Sequence, residues 1–198
     1  MLIDISQEVF GCKVFPGDPQ PECERMLSLD AGDVCNLTRV SMCAHNGTHV
    51  DAPYHFLNDG KTIDRMGLEP YVGDCWIARC EGDVTAEAAE RIMKAAENSG
   101  AGKRVLIAGK AVVTVEAARV FAAHGIMLIG NESQTVGPEN VPKEVKEVHL
   151  ILLGAGVTLL EGVVLDGVDE GKYFLSAAPL NFGGCDGAPC RAYLIKQD

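Results

Sequence analysis

Arg104-Val105-Leu106-Ile107-Ala108, followed by a helical stretch over residues 114–124 and then by Ile126-Met127-Leu128-Ile129, decides the fold class. The two apolar runs are short enough to read as buried strands. Between them Thr114 supplies an N-cap and Gly125 a stop, so the connection reads as a helix. The same order occurs upstream. Asp74-Cys75-Trp76-Ile77-Ala78-Arg79-Cys80 reads as a strand and carries the only tryptophan. Thr85 then caps a helix in which Ala86, Ala89, Ile92, Met93 and Ala96 fall at helical spacing, ended by Ser99-Gly100. Strand and helix in succession predict an α/β fold. With 198 residues, 47% of them hydrophobic, the chain can bury one core, and residues 1–198 are read as a single domain.

Toward the amino terminus, residues 2–10 alternate weakly and are read as a first strand. Phe15-Pro16-Gly17-Asp18-Pro19 is a rigid turn, and residues 20–33 an extended arm. Residues 34–42 alternate again, and a strand there delivers the chain into His45-Asn46-Gly47-Thr48-His49-Val50-Asp51-Ala52-Pro53-Tyr54-His55. This stretch holds three of the five histidines and a carboxylate. Imidazole and aspartate are donors for zinc, manganese or ferrous iron, and three protein ligands leave a position open for water. His45 and His49 are four apart, yet Gly47 and Pro53 favour a tight loop or broken turn over a helix, and either geometry lets the rings converge. Asn46 stands where a His-Glu-x-x-His site has its glutamate, so the general base comes from elsewhere. His55 is the nearest candidate.

Composition narrows the class further. A net charge of −11 argues against a nucleic-acid or anionic-membrane surface, which needs clustered Lys and Arg. The longest nearly apolar run, residues 150–160, is far below the roughly 20 residues that span a bilayer. The eight cysteines form no Cys-x-x-Cys pair, and no secretory leader is evident, so reduced thiols in a cytoplasm are expected. Cys43 and Cys185 flank the site motifs and are read as small buried hydrophobes. No Gly-x-Gly-x-x-Gly or phosphate loop occurs, so no nucleotide cofactor is implied.

Downstream of Ile129 comes Gly130-Asn131-Glu132-Ser133-Gln134-Thr135-Val136-Gly137-Pro138, a polar loop at the carboxyl end of a strand, where α/β proteins commonly place ligand contacts. Val145-Lys146-Glu147-Val148-His149 reads as a short helical stretch. Residues 157–161 read as a strand ending in Glu161. A carboxylate among Val and Leu needs a cation or hydrogen bonds, and a metal supplies one.

The string His-x-Gly-Thr-His-x-Asp-Ala-Pro-x-His resembles the signature of the metal-dependent cyclase-like hydrolases, which include bacterial kynurenine formamidase and isatin hydrolase. The string Leu-Leu-Gly-Ala-Gly-Val-x-Leu-Leu-Glu-Gly-x-Val-Leu-Asp-Gly-Val resembles their second motif, and Asp186-Gly187-Ala188-Pro189-Cys190-Arg191 their closing one. The resemblance implies a mixed sheet flanked by helices, similar to the swivelling β/β/α fold. It implies His45, His49 and Asp51 on a catalytic metal and His55 in proton transfer. His149 and Glu161 would hold a second metal, bridged to the first by Asp51. Relatives carry a tryptophan before Pro-Gly-Asp near the substrate, which makes Phe15 a candidate substrate contact. Their Gly-x-Asp-x-x-Ser-x-Asp becomes Glu132, Thr135 and Gly137 here, so Glu132 and Thr135 are candidate substrate contacts and the departures bear on substrate choice. Arg191 is expected to anchor its loop or pair with a carboxylate such as Asp186. A homodimer or homotetramer is implied.

The expected activity is hydrolysis of a formyl or amide carbonyl by water activated on one or two divalent metals per subunit, zinc before manganese. The resemblance implies an aryl formamide such as N-formylkynurenine, an intermediate of tryptophan catabolism, as the first substrate reading and a cyclic amide as the second. Rival readings are a metal or small-acid binder without turnover, and a cysteine nucleophile assisted by His149 or His55, which would survive chelation and succumb to alkylation.

Overall fold

The computed structural model describes residues 1–196. Its strands are β1 (Leu2–Asp4), β2 (Glu22–Leu27), β3 (Leu37–Ser41), β4 (His49–Asp51), β5 (Val72–Arg79), β6 (Gly82–Val84) and β7 (Arg104–Ala108). They continue with β8 (Ala111–Val113), β9 (Leu128–Asn131), β10 (Thr158–Glu161), β11 (Gly171–Ser176), β12 (Gly187–Pro189) and β13 (Tyr193–Ile195). The helices are α1 (Ala86–Asn98), α2 (Val115–Ala123) and α3 (Pro142–Gly154).

Nine strands form one mixed sheet in the order β1-β13-β11-β5-β7-β9-β10-β4-β12. The contiguous run β5-β7-β9-β10 is parallel and the flanks are antiparallel. Alternation along the central strands gives each face its own core. Val105, Ile107, Ile129 and Leu159 pack with buried residues of all three helices, including Ala89, Phe121 and Leu152. Leu106, Leu128 and Leu160 face the other way and share a second core with Leu194 and Leu175 from one end of the strand order and Val50 and Ala188 from the other. Residues from both ends meet in that core because the sheet curls. Truncating a buried leucine such as Leu106 to alanine would cost about 2–5 kcal/mol.

Thr85 and Thr114 cap α1 and α2 as the sequence predicts, accepting from the N–H groups of Ala88 and Ala117. Other boundaries differ. The first strand stops at Asp4, because the Asp4 carboxylate accepts from Ser6 N–H and the Glu8 carboxylate from Phe10 and Gly11 N–H, turning the chain out of the ladder. The expected arm of residues 20–33 is instead β2, paired with β3 in an exposed hairpin, plus a helical turn at Leu29–Ala31. The short helix around His149 extends to Gly154. Val145, Val148, His149, Leu152 and Leu153 form one buried stripe at helical spacing, and Pro142 opens the first turn. The strand expected at residues 126–129 runs two residues later. No described helix is long and apolar enough to cross a membrane.

Candidate metal centre

His49 and Asp51 lie two apart on β4 and therefore share a face, while Val50 between them enters the curled-sheet core. β10 runs antiparallel beside β4 and sets Glu161 opposite His49 and Leu159 opposite Asp51. Leu159 belongs to the helix-side core, so His49, Asp51 and Glu161 open toward the helical layer, where α3 brings His149. All four side chains are buried.

Backbone carbonyls fix two of the imidazoles. His149 Nδ1–H donates to Val145 O at 2.7 Å and His49 Nδ1–H to Gly47 O at 2.9 Å. Both Nε2 atoms are thereby turned to the carboxylates. His49 Nε2 lies 3.5 Å from Asp51 Oδ1 and 3.4 Å from Glu161 Oε2. His149 Nε2 lies 3.6 Å from Asp51 Oδ2 and 3.4 Å from Glu161 Oε1. His49 Nε2 and Asp51 Oδ2 have no hydrogen-bond partner despite burial. Gly47, at φ +68°, makes the turn that presents the His49 acceptor carbonyl.

A second, more open group adjoins this ring. His45 Nδ1 is 2.8 Å from Asp51 Oδ1, and its Nε2 is 2.8 Å from Asp186 Oδ2. His55 stacks on His45 with ring centroids 4.0 Å apart, and its Nδ1–H donates to the same Asp186 oxygen at 3.1 Å. Two trios of donors, His45 with Asp51 and His55, and His49 with Asp51 and Glu161, each lie within 4.8 Å of one another. Asp51 belongs to both.

Protonation follows from this crowding. Burial disfavours the His45 cation, but Asp51 and Asp186 against its two nitrogens outweigh it and raise the ring to about 11. Burial likewise opposes the His149 cation, while Asp51 and Glu161 raise it to about 10. Burial raises Asp51, yet His45 and His149 leave it well below the ordinary carboxylate value. Glu161 is lowered too, His149 and His49 overcoming both burial and the Asp51 charge. Hydrogen bonds from His45 and His55 hold Asp186 far down. Positive charge on histidine thus balances buried carboxylates, as a divalent cation would. Two imidazoles fixed by carbonyls, two buried carboxylates and orphaned donor atoms suit such an ion.

A cavity of about 400 Å³ opens onto the group and is lined by Phe15, Asp18, Phe56, Thr135 and Val145 beside the histidines. Phe15 and Thr135 therefore line the cavity, and Thr135 Oγ1 is buried without a partner. Glu132 does not. Its carboxylate accepts from Gly109 and Leu165 N–H and borders a separate cleft with Arg79 and Lys110. The reason is alternation: Ile129 and Asn131 face the helix side that holds the donor ring, and Glu132 follows on the opposite side. Arg191 pairs with Asp4 and not with Asp186, which the sequence reading missed as a partner of two histidines. His124 lies outside the site and bonds Glu97 and Glu90 on the surface. All eight cysteines are free, and Cys43 lines the cavity.

Comparison with known proteins agrees with this fold. A family model described as "Putative cyclase" matches residues 3–138. A solved structure described as a potential metal-dependent hydrolase with cyclase activity is 27% identical with a TM-score of 0.84, covering 100% of this chain and 98% of that one. A predicted metal-dependent hydrolase from Bacillus stearothermophilus is 27% identical with a TM-score of 0.81, covering 98% and 97%. Isatin hydrolase A from Labrenzia aggregata, bound to benzyl benzoate, shares the fold at 22% identity and a TM-score of 0.82, covering 100% and 94%. The motif, the curled mixed sheet and the family match over residues 3–138 lead to one assignment: this chain belongs to the cyclase family.

Proposed function

We propose that this chain is a metal-dependent hydrolase that opens a carbon–nitrogen bond of a small amide, an aryl formamide such as N-formylkynurenine being the first substrate. The observation that carries the reading is the buried ring of His49, Asp51, His149 and Glu161, whose orphaned His49 Nε2 and Asp51 Oδ2 call for a cation. The two solved structures at 27% identity, both described as metal-dependent hydrolases, support it.

His45, His49 and Asp51 would hold the first metal, and His149 and Glu161 with Asp51 a second, zinc or manganese suiting these donors. A bound divalent metal lowers the pKa of water from 15.7 toward about 7 and polarises a carbonyl oxygen. Phe15 and Phe56 offer aromatic walls to the substrate, and Thr135 a hydroxyl. His55, partly exposed at the cavity, takes the proton from attacking water and returns it to the leaving nitrogen, so that amide and water become acid and amine. A cyclic amide is the second reading, favoured by the isatin hydrolase likeness in fold and by a wall of aromatic and aliphatic groups suited to a neutral ring.

Turnover of N-formylkynurenine and of isatin, measured before and after chelation and after zinc or manganese is restored, tests the proposal. Chelator-sensitive hydrolysis of either substrate supports it and chooses between them; turnover that survives chelation and is abolished by alkylation overturns it in favour of a thiol nucleophile. A homo-oligomer is also proposed, supported by the exposed Met26, Leu37 and Val40 of the β2–β3 hairpin, and light scattering in solution decides it.

A further inference from the structure

We propose that Asp186 is a positioning residue that sets the tautomers of His45 and His55 together, an inference that rests on the hydrolase reading for its kinetic consequence but not for its geometry. One oxygen, Asp186 Oδ2, faces His45 Nε2 at 2.8 Å and His55 Nδ1 at 3.1 Å. A carboxylate is acceptor-only when ionised, so both nitrogens must carry hydrogen and donate. The consequence differs for the two rings. His45 faces a carboxylate at each nitrogen and carries hydrogen on both in the metal-free chain. Asp186 would keep the Nε2 proton in place, so that Nδ1, 2.8 Å from Asp51 Oδ1, is the atom that gives up its proton on the metal side. His55 keeps its proton on Nδ1, which leaves Nε2 as the lone pair that accepts a proton. The rings stack at 4.0 Å, tilted by 29°, which restrains the orientation of both toward Asp186.

The backbone around Asp186 is anchored as a built support would be. β12 pairs with β4 so that Gly187 lies opposite Asp51, and Asp186 O accepts from Ala52 N–H at 2.9 Å. Cys185 O accepts from Ile63 N–H at 2.9 Å, and Gly184 N–H donates to Asp64 Oδ1 at 2.9 Å. Gly187 leaves room for the supported ring: a Cβ there would stand 2.8 Å from His45 Cε1. Sheet register, the following glycine and one carboxylate oxygen thus converge on the two imidazoles. Carboxylates that accept the second N–H of a metal-bound histidine serve this purpose in metal sites generally.

The full chain carrying Asp186→Ala, with the near-isosteric Asp186→Asn as the variant least able to disturb folding, tests the assignment. Zinc affinity is measured by competition with a chromogenic chelator, histidine tautomers by nitrogen-15 NMR of the imidazoles, and kcat and KM with N-formylkynurenine and isatin. Asp186→Ala should weaken zinc binding or turnover roughly 10–100-fold, in kcat more than KM, and leave His55 as a mixture of tautomers. Asp186→Asn, which keeps a carbonyl oxygen at the same place, should fall between it and the unaltered chain and hold the tautomers. Unchanged zinc affinity, unchanged kcat and an unchanged His55 tautomer in Asp186→Ala would overturn the assignment. Should the unaltered chain take up no zinc and hydrolyse neither amide, the hydrolase reading fails, and the His55 tautomer in the metal-free chain still decides the role of Asp186.

Discussion

The inner ring of His49, Asp51, His149 and Glu161 and the outer group of His45, His55 and Asp186 share a cavity but are built differently. Inner donors stand on β4, β10 and α3, are buried, and have imidazoles tied to backbone carbonyls. Outer donors come from turns and the start of β12, stay partly open, and hold one another through side chains. Rigid elements can keep ligands in place without solvent, whereas proton transfer needs access to water and substrate. The contrast suggests cations held on the inner ring, with His45 reaching in from the outer group as a further ligand, and a proton moved by His55 outside.

The largest expected effect is that of Asp51→Ala, since Asp51 alone belongs to both donor trios. Metal content and hydrolysis should both fall to background, and retained metal with retained turnover would break the division. His55→Ala comes next, keeping its metal while kcat falls by about 10²–10⁴. Full activity in that variant would remove His55 from proton transfer. Gly187→Ala should be milder. The added Cβ would stand 2.8 Å from both His45 Cε1 and the Val50 carbonyl oxygen, so His45 and the β12–β4 pairing must both give. Zinc binding and the urea midpoint should fall together, zinc binding by less than on loss of Asp51.

The smallest effect concerns pH. In the metal-free chain His45, near 11 folded against 6.5 unfolded, stabilises the fold fully below 6.5 and loses that contribution as pH rises through about 11. His149, near 10, behaves likewise. Asp186, lowered from 3.8, adds stability above that value and loses it on acidification. Urea midpoints of the metal-free chain should therefore decline from pH 6 to pH 10. Zinc should flatten the decline, because a metal displaces the histidine protons, and its affinity should rise with pH. A metal-free midpoint that rises across this range would contradict the charge arrangement.

What could be read from the sequence depended on distance along the chain. His45, His49, Asp51 and His55 lie within one short stretch, and the strand and helix patterns around Leu106 and Ala89 are local signals, so both were legible. His149 and Glu161 are assigned through motif resemblance, His149 carrying no local signal of its own and Glu161 only that of a carboxylate among apolar residues. Asp186 lies 141 residues from His45 and reaches it only through β12–β4 pairing, which no short-range pattern encodes. Glu132 shows the converse: a correct loop location and the wrong side, because one residue reverses facing at a strand end. The hairpin of β2 and β3 was half visible, its second strand alternating and its first obscured by charged residues.

The most direct test is metal content per chain on protein purified without chelator and then titrated with zinc, for the unaltered chain beside Glu161→Gln and Asp51→Ala. The account predicts uptake approaching about two ions per chain, about one in Glu161→Gln, and none in Asp51→Ala. No ion bound and none taken up by the unaltered chain would contradict it.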